Sequence, residues 1–255
     1  MTQSDPKSSN KPSRGKKRLG LGLGLIVFLA ILTSLGLYSY YLWNASPSQW
    51  QTEKQHLAQM PQQEILTKAS ALQDHLLYEI TKPQTINETN GRAILVPYEW
   101  VNAWLSQKLT PWIEGYFGYK MPQELDSIMV MPQNDQIIVA VAIDKPDFKQ
   151  VFSAYVKILL KPNGKMTAQL VALRGGRLPL PVNYLLSQIP SLTNISDPIL
   201  LTNIKSLSNG LEFDPTFPID PRRTARIIDL QIKDDFLLIR VKQENRTPQQ
   251  TASYP

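Results

Sequence analysis

Apolar and polar positions alternate along this chain in four successive regimes. Residues Leu19 to Trp43 form one uncharged apolar run that opens Gly-Leu-Gly-Leu-Gly-Leu. At about 1.5 Å rise per residue a helix of that length spans a hydrocarbon core of roughly 30 Å. From Ser48 to Ile80 the pattern is polar and loosely helical, with Leu57, Ile65, Leu66, Leu72, Leu76 and Leu77 recurring among Gln, Glu and Lys. Pro61 divides it, so that a second helix starts at about Gln62. Pro83 to Arg92 reads as a loop with Asn90-Gly91 as its turn. Pro97 then suits a first helical turn, and Trp100, Val101, Trp104, Leu105 and Leu109 follow at helical spacing.

From Glu124 the period shifts to alternation. Leu125 to Met131 and Gln136 to Asp144 flank Asn134-Asp135, and Phe148 to Lys161 and Lys165 to Leu173 flank Pro162-Asn163-Gly164. Ile199 to Leu207 with Leu211 to Phe213, and Arg226 to Ile232 with Phe236 to Val241, read as two more pairs around Asn209-Gly210 and Asp234-Asp235. Hairpin order predicts an antiparallel sheet. The expected fold is therefore α+β: one transmembrane helix, then a long, curved antiparallel β-sheet packed on one or more helices. The expected boundaries are a basic tail at 1–18, the membrane helix at 19–43, a helical juxtamembrane stalk at 44–82, the α+β domain at 83–243 and a C-terminal tail at 244–255.

In the second predicted strand, Ile137, Val139, Val141 and Ile143 share one face while Ile138, Ala140 and Ala142 share the other. Both faces are apolar, where a solvated face would carry polar residues at every second position. In the next strand Phe152, Ala154, Val156, Ile158 and Leu160 oppose Ser153, Tyr155 and Lys157. A sheet covered twice suits either a helix on each side or an apolar cavity. Between the strands and the last pairs, Arg174-Gly175-Gly176-Arg177 makes a sharp exit, and Pro181 starts a short helix expected to run through Ile189.

Charge sharpens the first regime. Lys7, Lys11, Arg14, Lys16, Lys17 and Arg18 precede the apolar run against one acid, Asp5, and Tyr38, Tyr40, Tyr41 and Trp43 close it. Basic residues on the near flank and interfacial rings on the far one place the N-terminus in the cytoplasm and the rest beyond the plasma membrane. The length of the run, and bulky Trp43 two residues before Ala45, favour a retained single-pass anchor over a cleaved signal. The chain's pI of about 9.4 belongs mainly to that tail. Of 27 Lys and Arg and 21 acids, six and one precede the run, leaving 21 against 20 beyond it. A nearly neutral outer region gives no basis for a nucleic-acid partner. With no cysteine, the outer fold rests on its apolar core.

Catalytic chemistry is sparse. His56 and His75 lie nineteen positions apart on polar helices, away from metal-ligand spacing. There is no Gly-x-Ser-x-Gly elbow and no thiol nucleophile. Asp144 and Asp147 flank Pro146 in a turn pattern, and Arg222, Arg223 and Arg226 fall beside Asp220 and Asp229, where solvated pairs are the expectation. No enzyme, metal or cofactor is expected.

Val101-Asn102-Ala103-Trp104-Leu105, Gly176-Arg177-Leu178-Pro179-Leu180-Pro181 and Leu211-Glu212-Phe213-Asp214-Pro215 together resemble the YpmS-like family of bacterial proteins. The resemblance spans about Leu95 to Val241. It implies one N-terminal membrane helix and an extracytoplasmic domain, with no enzymatic activity to carry over. The longer stretch Gln49 to Thr89 and Pro181 depart from the family's pattern. The implied architecture is similar to one half of the tubular lipid-binding, BPI-like modules, a likeness of fold alone. Two functions follow as expectations: binding of an apolar ligand, a membrane lipid or acyl chain, lined by Trp100, Trp104, Phe152, Val156 and Ile158; or a scaffold docking a protein partner of the cell envelope.

Overall fold

The apolar run and the nearer part of its basic flank, from Arg14, fall in one helix, α1 (Arg14–Asn44), in the computed structural model of the chain. The structure describes residues 14–85, 88, 90–118, 120–182 and 206–245, with side chains from Phe28 onward. The chain divides after Leu42 into two units. In the first, two hydroxyls of the run bond within the helix: Thr33 Oγ1 donates to the Leu29 carbonyl and Ser34 Oγ to that of Ala30. Among the described residues no helix is long and apolar enough to cross a membrane.

The second unit is α+β and antiparallel throughout. Its helices are α2 (Ser48–Gln59), α3 (Gln62–Thr81) and α4 (Tyr98–Phe117). Its strands are β1 (Arg92–Pro97), β2 (Leu125–Gln133), β3 (Gln136–Lys145), β4 (Phe148–Leu160), β5 (Met166–Gly175), β6 (Leu178–Leu180), β7 (Leu211–Phe213), β8 (Thr216–Asp220), β9 (Arg223–Ile232) and β10 (Phe236–Asn245). They form two sheets rather than the one expected. The larger has the order β2-β3-β4-β5-β6, with β7 also on β5, and the smaller has the order β1-β10-β9-β8.

Local turn chemistry accounts for the hairpins. Asn134 adopts a left-handed φ of 54° between β2 and β3, and Gly164 one of 76° between β4 and β5, conformations open to Asn and Gly at little cost. Other expectations are corrected. Leu211–Phe213 pairs antiparallel with β5, Met166 opposite Phe213, because the free edge of β5 is its nearest acceptor. Its expected partner, Ile199 to Leu207, lies outside the described residues up to 205, and so does the helix expected through Ile189 beyond Val182. β1 and β8 arise where no strand was expected: β1 has its partner β10 supplied by distant sequence, whereas β8 pairs locally with β9 across the tight turn at Pro221-Arg222. Pro97 ends β1 and caps α4 rather than opening its first turn. The stretch 44–82 packs into the same unit as the domain, because Trp50, Leu57, Ile65, Ala69 and Leu72 are buried in its cores while Leu66 and Leu77 stay exposed.

One core lies between α2 and the larger sheet: Trp50 and Leu57 pack on Met129, Met131, Ile138, Ala140, Ala142, Val151 and Tyr155. The alanines decide which face α2 covers, because small side chains let a helix approach closely. The other core joins α3 and α4 to the smaller sheet through Leu72, Ile94, Val96, Ala225 and Val241. Two polar clamps tie these parts. Fully buried Asn102 of α4 accepts from Val130 N at 2.7 Å and donates to Val130 O at 3.0 Å, taking the place of a strand beside β2. Arg92 spends its guanidinium donors on Glu88 and on the carbonyls of Glu79, Lys82 and Pro83 at the end of α3. That fork holds the Glu88 carboxyl below its ordinary pKa.

Candidate functional site

The face of the larger sheet turned away from α2 is apolar in rows. The register aligns Val130, Val139, Ala154, Leu173 and Leu180 across five strands. Ile128, Val141, Phe152, Gly175 and Leu178 form the next row. Pro132, Ile137, Val156 and Leu170 form a third, kept in step by a bulge at Tyr155/Val156. Ile158 and Leu160 extend the β4 stripe opposite Ala168 and Met166. Phe152, Val156 and Ile158 are half-buried there, whereas Val151, Ser153 and Tyr155 on the α2 side are buried. The more polar face of β4 is thus the better covered one, because α2 selects it through its small neighbours on β3.

Trp43, the first residue of this unit, closes one end of the apolar face. Its ring meets Phe152 edge-on at 6.0 Å and Phe148 at 6.5 Å. Gly175 provides the room: a Cβ there would come within 2.5 Å of Trp43 Cζ3. The buried Gln150 amide donates to the Trp43 carbonyl at 2.8 Å while its oxygen accepts from Val151 N. The chain is therefore pinned to the sheet one residue after the first unit ends.

Trp100 and Trp104 are elsewhere. Both pack in the core between α3, α4 and the smaller sheet, with His75 edge-on to Trp100 at 5.8 Å. The five residues expected to line one apolar site therefore divide between a helix-sheet core and the outer face of the larger sheet. Trp104 also touches Trp112, which with Tyr116 and Phe117 makes an exposed aromatic cluster at the end of α4.

The polar residues singled out in sequence are occupied by structure. His75 Nε2 meets the Leu95 carbonyl at 3.1 Å, and His56 lies 4.0 Å from Glu99. Arg223 pairs with Asp220 at 2.7 Å and holds its carboxyl below the usual range, while Arg226 donates to the Gly164 carbonyl. Lys54 bridges α2 to Asp126 of β2 at 2.7 Å and lowers that carboxyl likewise. Among the described residues no group of three His, Cys, Asp or Glu could hold a metal ion.

Sequence reading missed Trp43 as a packing residue and Arg174 and Arg177 as a pair. The Gly175-Gly176 dipeptide between two arginines was the available signal, since paired glycines after a strand mark a close approach of other atoms. Comparisons with protein-family models, curated proteins and solved structures find no match for this chain.

Proposed function

We propose that this protein is a single-pass, membrane-anchored extracytoplasmic binder that holds an acyl chain of a membrane lipid, without catalysis. The observation that carries the reading is the continuous apolar face of the larger sheet, which begins beneath Trp43. Trp43 is the last residue of the apolar run, so along the chain the run leads directly onto the residue that rests on this face. Each Å² of apolar surface that a chain covers contributes about 25 cal/mol. Phe152, Val156 and Ile158 would line the ligand; Trp100 and Trp104 would stabilise the fold. The resemblance to the YpmS-like family and the uncharged run Leu19 to Trp43, with Thr33 and Ser34 bonded within the helix, support the same placement.

The test is a photoreactive phenylalanine analogue at Phe152 in the full chain, irradiated in membranes and weighed by mass spectrometry. A phospholipid-mass adduct at Phe152, with none from the same probe at Tyr155 on the α2 face, supports the reading. Absence of a lipid adduct at Phe152 defeats it. A second reading, docking of an envelope protein, is favoured by the exposed Trp112–Tyr116–Phe117 cluster. It predicts a single protein crosslink from a probe at Tyr116.

A further inference from the structure

Between Trp43 and α2 the chain turns around the end of β5, and two arginines meet it there. Arg177 Nε donates to the Ser46 carbonyl at 3.2 Å. Arg174 lays its guanidinium over the Tyr155 ring, 4.7 Å from the centroid. Both groups line a cavity of about 350 Å³ together with Ser48, Gln49, Gln133 and Tyr155. None of the described lining residues carries a carboxylate, and neither arginine forms an ion pair among the described residues. Arg92, Arg223, Lys54 and Lys68, by contrast, each face an acid, while Arg226, like Arg177, is held by a carbonyl.

Both arginines are exposed, and with one guanidinium over a ring and the other on a carbonyl each keeps donor edges free for an anion with several oxygens. A planar fork matches phosphate oxygens in pairs, which an ammonium does not do. The cavity also takes in the first turn of α2, whose N-terminus has no side-chain cap and adds positive potential. Gln49, Gln133 and Ser48 supply further neutral hydrogen-bonding groups.

We propose that this cavity is a phosphate site, built on Arg174 and Arg177, for the phosphate of a phospholipid headgroup or for free phosphate. The inference rests on the anchored reading only for the source of the anion. Ser46 is three residues past Trp43, so at about 3.5 Å per residue its backbone lies within roughly 10 Å of the Trp43 backbone, where the apolar run ends. That is headgroup depth for a protein whose chain leaves the bilayer at Trp43.

The full chain in a neutral detergent is titrated calorimetrically with dihexanoyl-phosphatidylglycerol and, separately, with inorganic phosphate. Saturable binding that weakens about tenfold or more in the R174Q/R177Q double variant is the expected result. Preference for the phospholipid identifies a headgroup site, and equal affinity for inorganic phosphate identifies a site for free phosphate. A second measurement needs no substitution: arginine modification by phenylglyoxal, mapped by mass spectrometry, should slow at Arg174 and Arg177 but not at Arg222 when the better probe is present. No saturable binding of either probe overturns the proposal. So does binding indifferent to the double variant, or failure of the better probe to protect the two arginines. The phosphate arm needs no apolar ligand and the Phe152 crosslink needs no anion, so the two proposals fail separately.

Discussion

Asn102 shows how much one side chain can contribute when it replaces a strand. Its amide satisfies both the N–H and the C=O of Val130, groups that an edge strand would otherwise leave to solvent or bury unpaired. Asn102→Ala should cost roughly 2–4 kcal/mol, since two buried backbone groups lose their partners. Asn102→Asp should cost at least as much, because a carboxylate cannot donate to the Val130 carbonyl. Thermal unfolding of the full chain in mild detergent reads both. Tyr98 makes the opposite case: its hydroxyl is buried with no protein partner among the described residues, and burial pushes its pKa up from 10.0 to about 12. The unfolded chain therefore loses this proton first, and stability should fall as pH rises from 10 towards 12. Tyr98→Phe should flatten that alkaline slope and leave the melting temperature at pH 8 equal or higher. A lowered melting temperature at pH 8 would mean the hydroxyl has a favourable role.

Among elements, what was legible in sequence was what local chemistry decides. The hairpins around Asn134 and Gly164 follow from alternation plus a turn that tolerates positive φ, and α3 and α4 from helical spacing after a proline. β1 was illegible because six residues, Arg92–Pro97, run straight into a helix, and only β10 makes them a strand. The choice of covered face was illegible too. Sequence gives β4 an apolar side and a mixed side, and hydrophobicity alone favours burying Phe152 and Val156. The fold buries Ser153 and Tyr155 instead, because Ala140 and Ala142 on the neighbouring strand let α2 approach. The site's closing residue, Trp43, was hidden among the rings that suit a membrane interface. Its docking has a direct test. Gly175→Val puts branched carbon where the indole lies, an overpacking worth about 1–3 kcal/mol. The variant should expose Trp43, seen as increased acrylamide quenching; unchanged quenching would show that the ring does not rest on Gly175.

The whole molecule offers a clean topology experiment, because its natural sequence has no cysteine. Single cysteines at Ser9 and at Thr251 should react oppositely with a membrane-impermeant maleimide in intact cells: Thr251→Cys labelled, Ser9→Cys protected until lysis. Equal labelling before lysis would remove the anchored reading.

The register of the smaller sheet also dictates an order of events. β2 to β5 are joined by short turns, so each can pair with a neighbour soon after it is made. β1 has β10 as its strand partner, with Arg92 opposite Val241 and Pro97 opposite Phe236. Contacts that far apart in sequence close late. A chain delivered N-terminus first can pack α3 on α4 through Ile65, Ala69 and Ala103 but must carry β1 and the sides of both helices that face the smaller sheet unmated until its last strand emerges, a period open to proteolysis or to a chaperone's grip. A chain stopped after Ile232 should keep the larger sheet yet lose protease resistance across α3 and β1. The final strand works as a latch, and what it secures is the first part of the domain to be made.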